Sequence, residues 1–316
     1  MSKSKNFVPS GVIPATLLIL DRDLKIDDSA TRKHTRECAL VPGVSAVTVN
    51  GHASEIHACS FDEQTQILDS TLEEVGDQVP VINGVYADGS LEAARIAKMA
   101  DERGASALLV FPPNTMAMGG HLRPEMAIAH FRTIADATDL PLILFQYPAS
   151  TGLGYPFETL LKLFENVPSI KAIKDWSNDA MLHERHIRTF QNLSDPINVL
   201  TTHSSWLMAS LSMGANGLLS GAGSVIVDLQ VKLFQAIQNK DLELAQTLND
   251  RIYPLAQAFY RPPFLDMHNR MKELLVILGR IEQCFVRPPL VKLGNEEIEI
   301  LKLASKTAGL KKEFEV

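Results

Sequence analysis

Short apolar segments rich in β-branched residues alternate with longer segments of helical period over the first two thirds of the chain. Continuous apolar runs of this length are typical of strands that are buried on both faces. The pattern predicts eight strands. They cover residues 11–20, 44–50, 79–83, 105–111, 140–147, 169–174, 197–201 and 215–220.

The segments between these strands carry the signals that start and stop helices. Ser60 followed by Glu63 forms a capping box, and Pro124 suits the first turn of a helix. Gly76 and Gly104 fall where a left-handed glycine commonly ends a helix. The helices so predicted include residues 60–76, 90–103 and 124–138.

Buried strands joined by connections long enough for a helix indicate a parallel sheet that helices cover on both faces. Eight such units favour a closed (β/α)8 barrel, the TIM barrel, and an open doubly wound sheet is the alternative. The chain has no GxGxxG after the first strand and no GxxxxGK[ST] anywhere, so the phosphate-binding loops typical of open sheets are missing. We therefore predict an α/β fold of the TIM-barrel type.

The last part of the chain has helical patterns only, at residues 241–259, 265–283 and 294–308. Two Arg-Pro-Pro segments separate these helices, since proline ends a helix or begins a new one. We expect a catalytic barrel at residues 1–240, followed by a C-terminal three-helix extension at residues 241–316.

The composition excludes several classes of partner. Thirty Lys and Arg residues against thirty-seven Asp and Glu residues give a net charge of −7. Without a basic surface, nucleic acids and anionic membranes are not expected partners. No apolar run reaches the roughly 20 residues that a membrane helix needs.

Two further features bear on location. The three cysteines form no CxxC pair and leave one cysteine over in any disulfide scheme, which favours a reducing cytoplasm. The slightly basic residues 1–6 precede an apolar stretch that contains Pro14 and has no small-residue cleavage site. We therefore expect a strand there and not a signal peptide.

Lys174 stands out chemically, because reacting groups in a barrel enzyme lie at the C-terminal ends of the strands. In strict alternation it shares a strand face with Ile170 and Ala172, which should point into the barrel. Burial lowers the pKa of a lysine, so its free amine can attack a carbonyl and form a Schiff base. The alternative is a lysine that reaches water or pairs with Asp175.

Tyr147 ends the neighbouring strand, within reach of a group bound to Lys174. Its phenol can transfer a proton to or from such an intermediate. The alternative is a packing tyrosine with a satisfied hydroxyl.

Three motifs at strand ends resemble those of one family. Gly51-His-Ala-Ser-Glu55 is similar to a GxxGE turn after strand 2, and Tyr147-Pro148 is similar to a Tyr-Asn-x-Pro turn after strand 5. Ile173-Lys174-Asp175 is similar to a G-[IV]-K-[DE] strand end. On these motifs the chain resembles the dihydrodipicolinate synthase and N-acetylneuraminate lyase family of Schiff-base barrel enzymes over nearly its whole length.

The resemblance implies a role for each motif. Lys174 would form an imine with pyruvate or another 2-oxo acid, and Tyr147 would relay the proton. The backbone amides of Ala53 and Ser54 and the Ser54 hydroxyl would hold the substrate carboxylate. His52 replaces a threonine of the family's relay, and acts as a relay, as an additional acid or base, or only as a packed loop histidine.

The resemblance also implies no metal and no organic cofactor, since the covalent Lys imine supplies the chemistry, and a homo-oligomer, either a dimer or a tetramer. Two departures separate the chain from dihydrodipicolinate synthase proper. The second relay tyrosine after strand 4 is absent from Phe111-Pro-Pro-Asn114, and no arginine follows Tyr147. A semialdehyde with an amino-acid tail would therefore lose the cation that binds its carboxylate.

The tail of the substrate should meet neutral hydrogen-bonding groups, which suit the hydroxyls of a sugar acid or a phenol. The predicted function is a lyase for aldol cleavage or condensation involving pyruvate. The alternatives are a 2-oxo-3-deoxy sugar acid dehydratase, the synthase proper, a silent keto-acid binder and, on the glycine-rich turn after strand 8, a phosphosugar enzyme. The tail-binding candidates are Asn114, His203, Ser204, Gly221 and Ala222.

Three other clusters are not expected to carry chemistry. His183 and His186 form one turn of HxxH without a third ligand, which is typical of solvated helix surface. His57 lies near His52 but matches no metal signature. Cys59 belongs to no recognisable nucleophile motif.

Overall fold

The computed structural model describes residues 7–315 and contains an eight-stranded parallel sheet with neighbours in the order β1-β8-β7-β6-β5-β4-β3-β2. Isolated parallel bridges between Val12 and Val44 and between Ala15 and Thr48 join the two ends of the sheet. The predicted TIM barrel is thereby confirmed. The strands are β1 (Gly11–Pro14), β2 (Val47–Val49), β3 (Val81–Val85), β4 (Ala107–Val110), β5 (Leu142–Gln146), β6 (Ile170–Asp175), β7 (Asn198–Thr201) and β8 (Gly217–Ser220).

On β4 and β5, alternate residues enter two separate hydrophobic clusters, because successive side chains of a strand point to opposite faces. On β4, Ala107 and Leu109 pack in the barrel interior, whereas Leu108 and Val110 pack beneath the surrounding helices. Both faces of the strand are apolar. Because both faces are buried, the strands read as near-continuous apolar runs in the sequence.

Strand β6 breaks the predicted alternation. Its pairing with β5 shifts between Leu142–Ile170 and Ile143–Ala172, so one residue of β6 is extra in the ladder. Ile170 consequently packs with the outer cluster, whereas Ala172 faces the barrel interior. The expectation that Ile170 shares the inward face of Lys174 is wrong, but the inward direction of Lys174 is retained.

The capping signals act largely as predicted. Ser60 and Glu63 form the full capping box at the start of α2, and Pro124 occupies the first turn of α4. Gly104 ends α3 in a left-handed conformation with φ 98°, whereas Gly76 ends α2 with a right-handed φ of −66°. The barrel helices are α1 (Asp28–Ala39), α2 (Phe61–Val75), α3 (Ser90–Arg103), α4 (Pro124–Ala135), α5 (Phe157–Asn166), α6 (Ala180–Phe190), α7 (Leu207–Ser212) and α8 (Gly223–Gln238).

Three further helices follow α8: α9 (Leu242–Phe259), α10 (Met267–Ile277) and α11 (Asn295–Ala308). The middle one is shorter than predicted, because residues 264–266 form a separate 3-10 turn and Gly279 has a positive φ just beyond its end. The side chains of these helices share one hydrophobic cluster with the barrel interior. The extension therefore packs as part of the barrel core.

Residues 1–6, which belong to the prediction about the N-terminus, lie outside the described residues. Within residues 7–315, no helix has both the length and the apolar character to cross a membrane. Cys38, Cys59 and Cys284 are free thiols. Burial raises the pKa of Cys59 to about 12, so it is not a thiolate nucleophile at neutral pH.

Candidate active site

The turn after β2 is placed by close packing against β3. Asn50 has a left-handed backbone with φ 53°, and its side-chain amide donates to the carbonyl of Gln64 and to Oδ1 of Asn83, both at 2.8 Å. A Cβ atom on Gly84 would lie 1.8 Å from the carbonyl oxygen of Asn50. Only glycine at this position allows the turn to sit on the strand.

Glu55, at the end of the same turn, is held in place by residues of the C-terminal extension. It has a left-handed backbone with φ 51°, and its side chain is 1% exposed. Its carboxylate accepts hydrogen bonds from Nζ of Lys272 in α10 and, at 3.0 Å, from the backbone N–H of Arg287. Barrel and extension together therefore fix the turn that carries His52 and Ala53.

Lys174 projects from the end of β6 into the barrel mouth and is only 7% exposed. Its register partners are apolar, Phe145 on β5 and Leu200 on β7, and its Nζ lies 4.1 Å from the centroid of the Phe145 ring. Burial lowers the pKa of Lys174 to about 7. No carboxylate of residues 7–315 forms an ion pair with it, and Asp175 points away to other partners.

The phenol of Tyr147 and the imidazole of His52 form a hydrogen bond of 2.9 Å between the hydroxyl and Nε2. Burial raises the pKa of Tyr147 well above its usual value. Burial, and then the nearby charge of Lys174, lower the pKa of His52 to about 3. Both groups are uncharged near neutral pH, so the hydrogen bond joins a neutral imidazole to a protonated phenol.

Tyr86 is a second phenol at this point of the barrel. Its ring packs edge-on at 6.1 Å from the ring of His52, and its hydroxyl accepts a hydrogen bond of 2.7 Å from the side-chain amide of Asn114. It directly follows β3, which ends two residues later than the sequence pattern predicted. A correct strand end would have included Tyr86 among the strand-end residues.

Lys174 and His52 line one cavity of about 500 Å³, measured out to its open mouth. Ala53 and Gly221, two residues predicted to bind substrate, lie on its barrel side. Its other wall comes from the extension, which no pattern in the sequence placed here. That wall consists of Tyr260, Phe264, Met267 and His268.

Trp176, Phe264 and Tyr260 form an aromatic belt that lines this cavity. The rings of Trp176 and Phe264 stack at 5.0 Å, and those of Tyr260 and Phe264 at 5.7 Å. The same three residues also line a second, outer cavity, together with Thr202 and Ser204. A bound molecule longer than pyruvate would therefore contact the aromatic belt and extend toward the hydroxyl groups of the outer cavity.

Ser54 differs from the expectation for a carboxylate-binding residue. Its hydroxyl donates to the carbonyl of Thr16 at 2.9 Å, and its backbone N–H donates to the carbonyl of Gly51 at 3.1 Å. Both donors are occupied within the fold. Of the two residues predicted to hold the substrate carboxylate, Ala53 lines the cavity and Ser54 does not.

Three predicted tail-binding residues also have internal roles. Asn114 is exposed, and its backbone N–H donates to Asp88 at 2.7 Å. Ala222 is 2% exposed at the start of α8, and its carbonyl accepts from Ile226. Ser204 lines the outer cavity and lies 3.4 Å from the hydroxyl of Ser220.

His203 cannot serve as a charged anion site. Its Nε2 accepts the backbone N–H of Asn178 at 3.1 Å, and its Nδ1 lies 3.1 Å from the Thr201 hydroxyl. Burial lowers the pKa of His203 to about 3, so the ring is neutral. The ring is held between internal partners.

His183 and His186 are completely buried, so the expectation of a solvated helix surface is wrong. Each ring donates from Nδ1 to the same oxygen of Asp175 at 2.7 Å. Although burial opposes it, these hydrogen bonds hold the pKa of Asp175 well below its usual value. The pair faces inward because α6 places residues three apart on one face against β6.

Asp175, His183 and His203 also bring three possible metal-ligand atoms within 4.8 Å of one another. His183 already has Asp175 on one nitrogen and the Ser210 hydroxyl, at 2.8 Å, on the other. Since His203 is likewise bonded at both nitrogens, the cluster is satisfied as a hydrogen-bond network. It braces the end of the strand that carries Lys174.

A closed parallel barrel with a cavity at the C-terminal ends of its strands defines the class of the protein, a TIM-barrel enzyme. The sequence profile of the Dihydrodipicolinate synthetase family matches residues 8–308. The protein belongs to this family, whose members are lyases, and is itself a lyase.

Relatives and solved structures agree with this placement. The 4-hydroxy-tetrahydrodipicolinate synthase of Methanopyrus kandleri is 29% identical over 257 residues, which are 80% of this chain and 82% of the relative. The corresponding synthase of Chlorobium phaeobacteroides is 28% identical and covers 90% of this chain and 91% of its own.

Among solved structures, the 4-hydroxy-tetrahydrodipicolinate synthase of Methylacidiphilum fumariolicum SolV superposes with a TM-score of 0.85 at 21% identity, covering 95% of this chain and 96% of its own. CdNal from Clostridium difficile, solved with mannosamine, has a TM-score of 0.80 at 22% identity, covering 95% and 99%. At these identities the structures support the fold.

Proposed function

We propose that the protein forms a Schiff base between Lys174 and a 2-oxo acid, and makes or breaks the carbon–carbon bond beyond C3 of a pyruvate unit. The observation that carries the proposal is the buried, unpaired amine of Lys174, whose pKa is lowered to about 7 between apolar neighbours. A free amine at neutral pH is the nucleophile that imine formation requires.

The reaction follows from this amine. Nζ of Lys174 attacks C2 of the 2-oxo acid, and loss of water gives an iminium. In the cleavage direction the electrons of the C3–C4 bond flow to the iminium and leave an enamine, while C4 becomes a carbonyl. Tyr147, hydrogen-bonded to His52, then supplies the proton at C3. The backbone N–H of Ala53 is the donor proposed for the substrate carboxylate.

The lining of the two cavities supports a substrate whose tail is uncharged. Among the described residues that line them, Lys174 is the only lysine, arginine, aspartate or glutamate. A second carboxylate or a phosphate on the tail would be buried without a cation, which is costly. This favours neutral tails over the semialdehyde with an amino-acid tail that dihydrodipicolinate synthase proper requires.

A dehydratase that uses the same imine is the second candidate. The observation in its favour is the outer cavity, where hydroxyl side chains lie beyond the aromatic belt and suit a hydroxylated tail. A 2-oxo-3-deoxy sugar acid would lose water between C3 and C4 where an aldol substrate would lose an aldehyde. Both candidates depend on Lys174.

Trapping with borohydride tests imine formation on Lys174, the step that both candidate functions share. Incubation with pyruvate and then borohydride should add one reduced pyruvate to the intact protein, and peptide mapping should place it on Lys174. Lys272 is an internal control, because it is equally buried but ion-paired with Glu55 and should remain unmodified. A protein that forms no adduct with pyruvate or with a 2-oxo-3-deoxy sugar acid would support the silent-binder alternative.

Two further expectations belong to the proposal. The imine chemistry needs no metal or organic cofactor, so prior treatment with EDTA should leave adduct formation unchanged, and a loss that Zn²⁺ restores would contradict this.

We also propose a homo-oligomer, a dimer or tetramer, from the family resemblance. Sedimentation equilibrium measures the mass directly, and a monomer would contradict that assignment.

A further inference from the structure

His268 lies in the same cavity as Lys174, although it comes from the C-terminal extension. It is the second residue of α10, and it is 9% exposed. The cavity is lined by His52 on one side and by His268 on the side of the extension. A titratable side chain therefore faces the proposed imine from outside the barrel strands.

The chain after β8 leaves room for this imidazole. A Cβ atom on Gly221 would lie 2.7 Å from Nε2 of His268, closer than real Cβ contacts. Any larger residue at position 221 would have to displace the ring. Gly221 therefore serves to let His268 reach the end of the barrel.

The ring nitrogens of His268 have no hydrogen-bond partner within residues 7–315, whereas every other buried histidine of these residues has a partner on at least one ring nitrogen. His183 and His203 are bonded at both nitrogens, and His34 accepts the backbone N–H of Leu17 at 3.3 Å. A buried imidazole without a hydrogen-bond partner is unfavourable unless a ligand or water satisfies it. Because His268 lines the cavity that holds Lys174, a molecule bound there can provide this partner.

We propose that His268 is a further catalytic residue, which accepts the proton of the C4 hydroxyl of a bound 4-hydroxy-2-oxo acid as the C3–C4 bond breaks. This inference rests on the proposed function of Lys174. It assigns the two proton transfers to two different side chains. Tyr147, held by His52, serves C3, and His268 serves the oxygen on C4.

The step balances without a further reactant. The O–H bond breaks and its proton moves to the imidazole, while the oxygen electrons form the C4 carbonyl. The electrons of the C3–C4 bond reduce the iminium to the enamine. In the condensation direction the imidazolium returns the proton to the new alkoxide. Burial, and then the neighbouring His52 and Lys174, hold the pKa of His268 well below its usual value, so the ring is neutral and able to accept.

Two reactions of the same enzyme separate this role from the others. Exchange of the C3 protons of pyruvate in D2O needs Lys174 and Tyr147 but no C4 oxygen. Condensation of pyruvate with glyceraldehyde or with benzaldehyde needs the C4 proton transfer as well. His268→Gln, which keeps a polar amide but cannot take a proton, should slow kcat for condensation at least about 100-fold. Its rate of pyruvate proton exchange and its KM for pyruvate should be unchanged.

Two variants complete the design. His57→Gln changes an exposed histidine outside the cavity and should leave both reactions unchanged. Gly221→Ala should crowd the His268 ring and reproduce the selective loss of condensation. Circular dichroism and thermal unfolding verify that each variant is folded.

The outcomes are distinguishable. Unchanged condensation in folded His268→Gln would overturn the inference while leaving the proposed function intact. Equal loss of exchange and condensation would also overturn it, since His268 would then act on the imine or the fold. Wild-type protein that exchanges pyruvate protons but joins pyruvate to neither aldehyde would overturn it as well. Absence of both pyruvate trapping and exchange in the wild type would instead remove the proposed function.

Discussion

Nε2 of His52 lies 2.9 Å from the hydroxyl oxygen of Tyr147, and both rings pack against Phe145, at centroid distances of 5.9 Å and 4.5 Å respectively. Nζ of Lys174 lies 4.1 Å from the centroid of the same Phe145 ring. One aromatic side chain thus positions the proposed nucleophile beside the hydrogen-bonded pair. In the proposed function, His52 takes the place of the threonine in the relay that the family resemblance implies.

Removing either member of this pair should slow proton transfer without preventing imine formation. Tyr147→Phe should lower kcat for condensation about 10²–10⁴-fold, because the phenolic proton is lost. His52→Ala should act in the same direction, and the double variant should lose less than the sum, since the two groups act as one unit. Steady-state kinetics measure these changes.

Borohydride trapping provides the control for this pair. Both single variants should still trap pyruvate on Lys174. If His52→Ala keeps full turnover while Tyr147→Phe does not, His52 is only a packing residue, as the simpler interpretation of the sequence allows.

Imine formation should follow the pKa of Lys174 with a definite sign. An amine is nucleophilic only when unprotonated, so the initial rate of trapping by pyruvate and cyanoborohydride should rise with pH and level off above about 7. An ordinary lysine would continue to gain up to a pH near 10. A rate still rising tenfold per pH unit between pH 8 and pH 9 would show that Lys174 is not desolvated as the structure places it.

The buried ion pair of Glu55 and Lys272 should contribute more to stability than an exposed ion pair does. Glu55→Gln leaves an uncompensated buried ammonium and should lower the free energy of unfolding by about 3–5 kcal/mol. The double variant Glu55→Gln with Lys272→Met should recover part of this loss, because no charge remains buried.

Urea unfolding of these variants gives the comparison, with an exposed ion pair as control. Glu299 accepts from Lys302 at 2.8 Å, but both side chains are more than half exposed. Glu299→Gln should therefore change stability by less than about 1 kcal/mol. Equal effects at Glu55 and Glu299 would contradict the structural role assigned to the buried pair.

Phe264 should affect binding of the substrate tail more than the chemistry on pyruvate. Phe264→Ala removes the ring that stacks on Trp176 at 5.0 Å, and should raise KM for the aldehyde or the 4-hydroxy-2-oxo acid several-fold. KM for pyruvate in proton exchange should remain unchanged. Leu265→Ala is the matched control, because Leu265 is 58% exposed. A parallel rise of KM for pyruvate would mean that Phe264 shapes the whole cavity.

The barrel and its central residues could be predicted because they depend on short-range patterns. Alternating runs of apolar strand and amphipathic helix determine a covered parallel sheet, and the position of Lys174 and Tyr147 at strand ends places both at the mouth. Errors of one or two residues had consequences of their own. The end of β3 concealed Tyr86, and the irregularity in β6 moved Ile170 to the outer face.

The remaining features were decided by tertiary structure, since they join residues far apart in the chain. His268 reaches the cavity only because α10 packs over the barrel, and Glu55 meets Lys272 across 217 residues. His183 and His186 are buried against Asp175 at the end of β6, which their spacing on a helix does not reveal. Periodicity determines which face of an element is apolar, but only packing decides which distant polar groups that face meets.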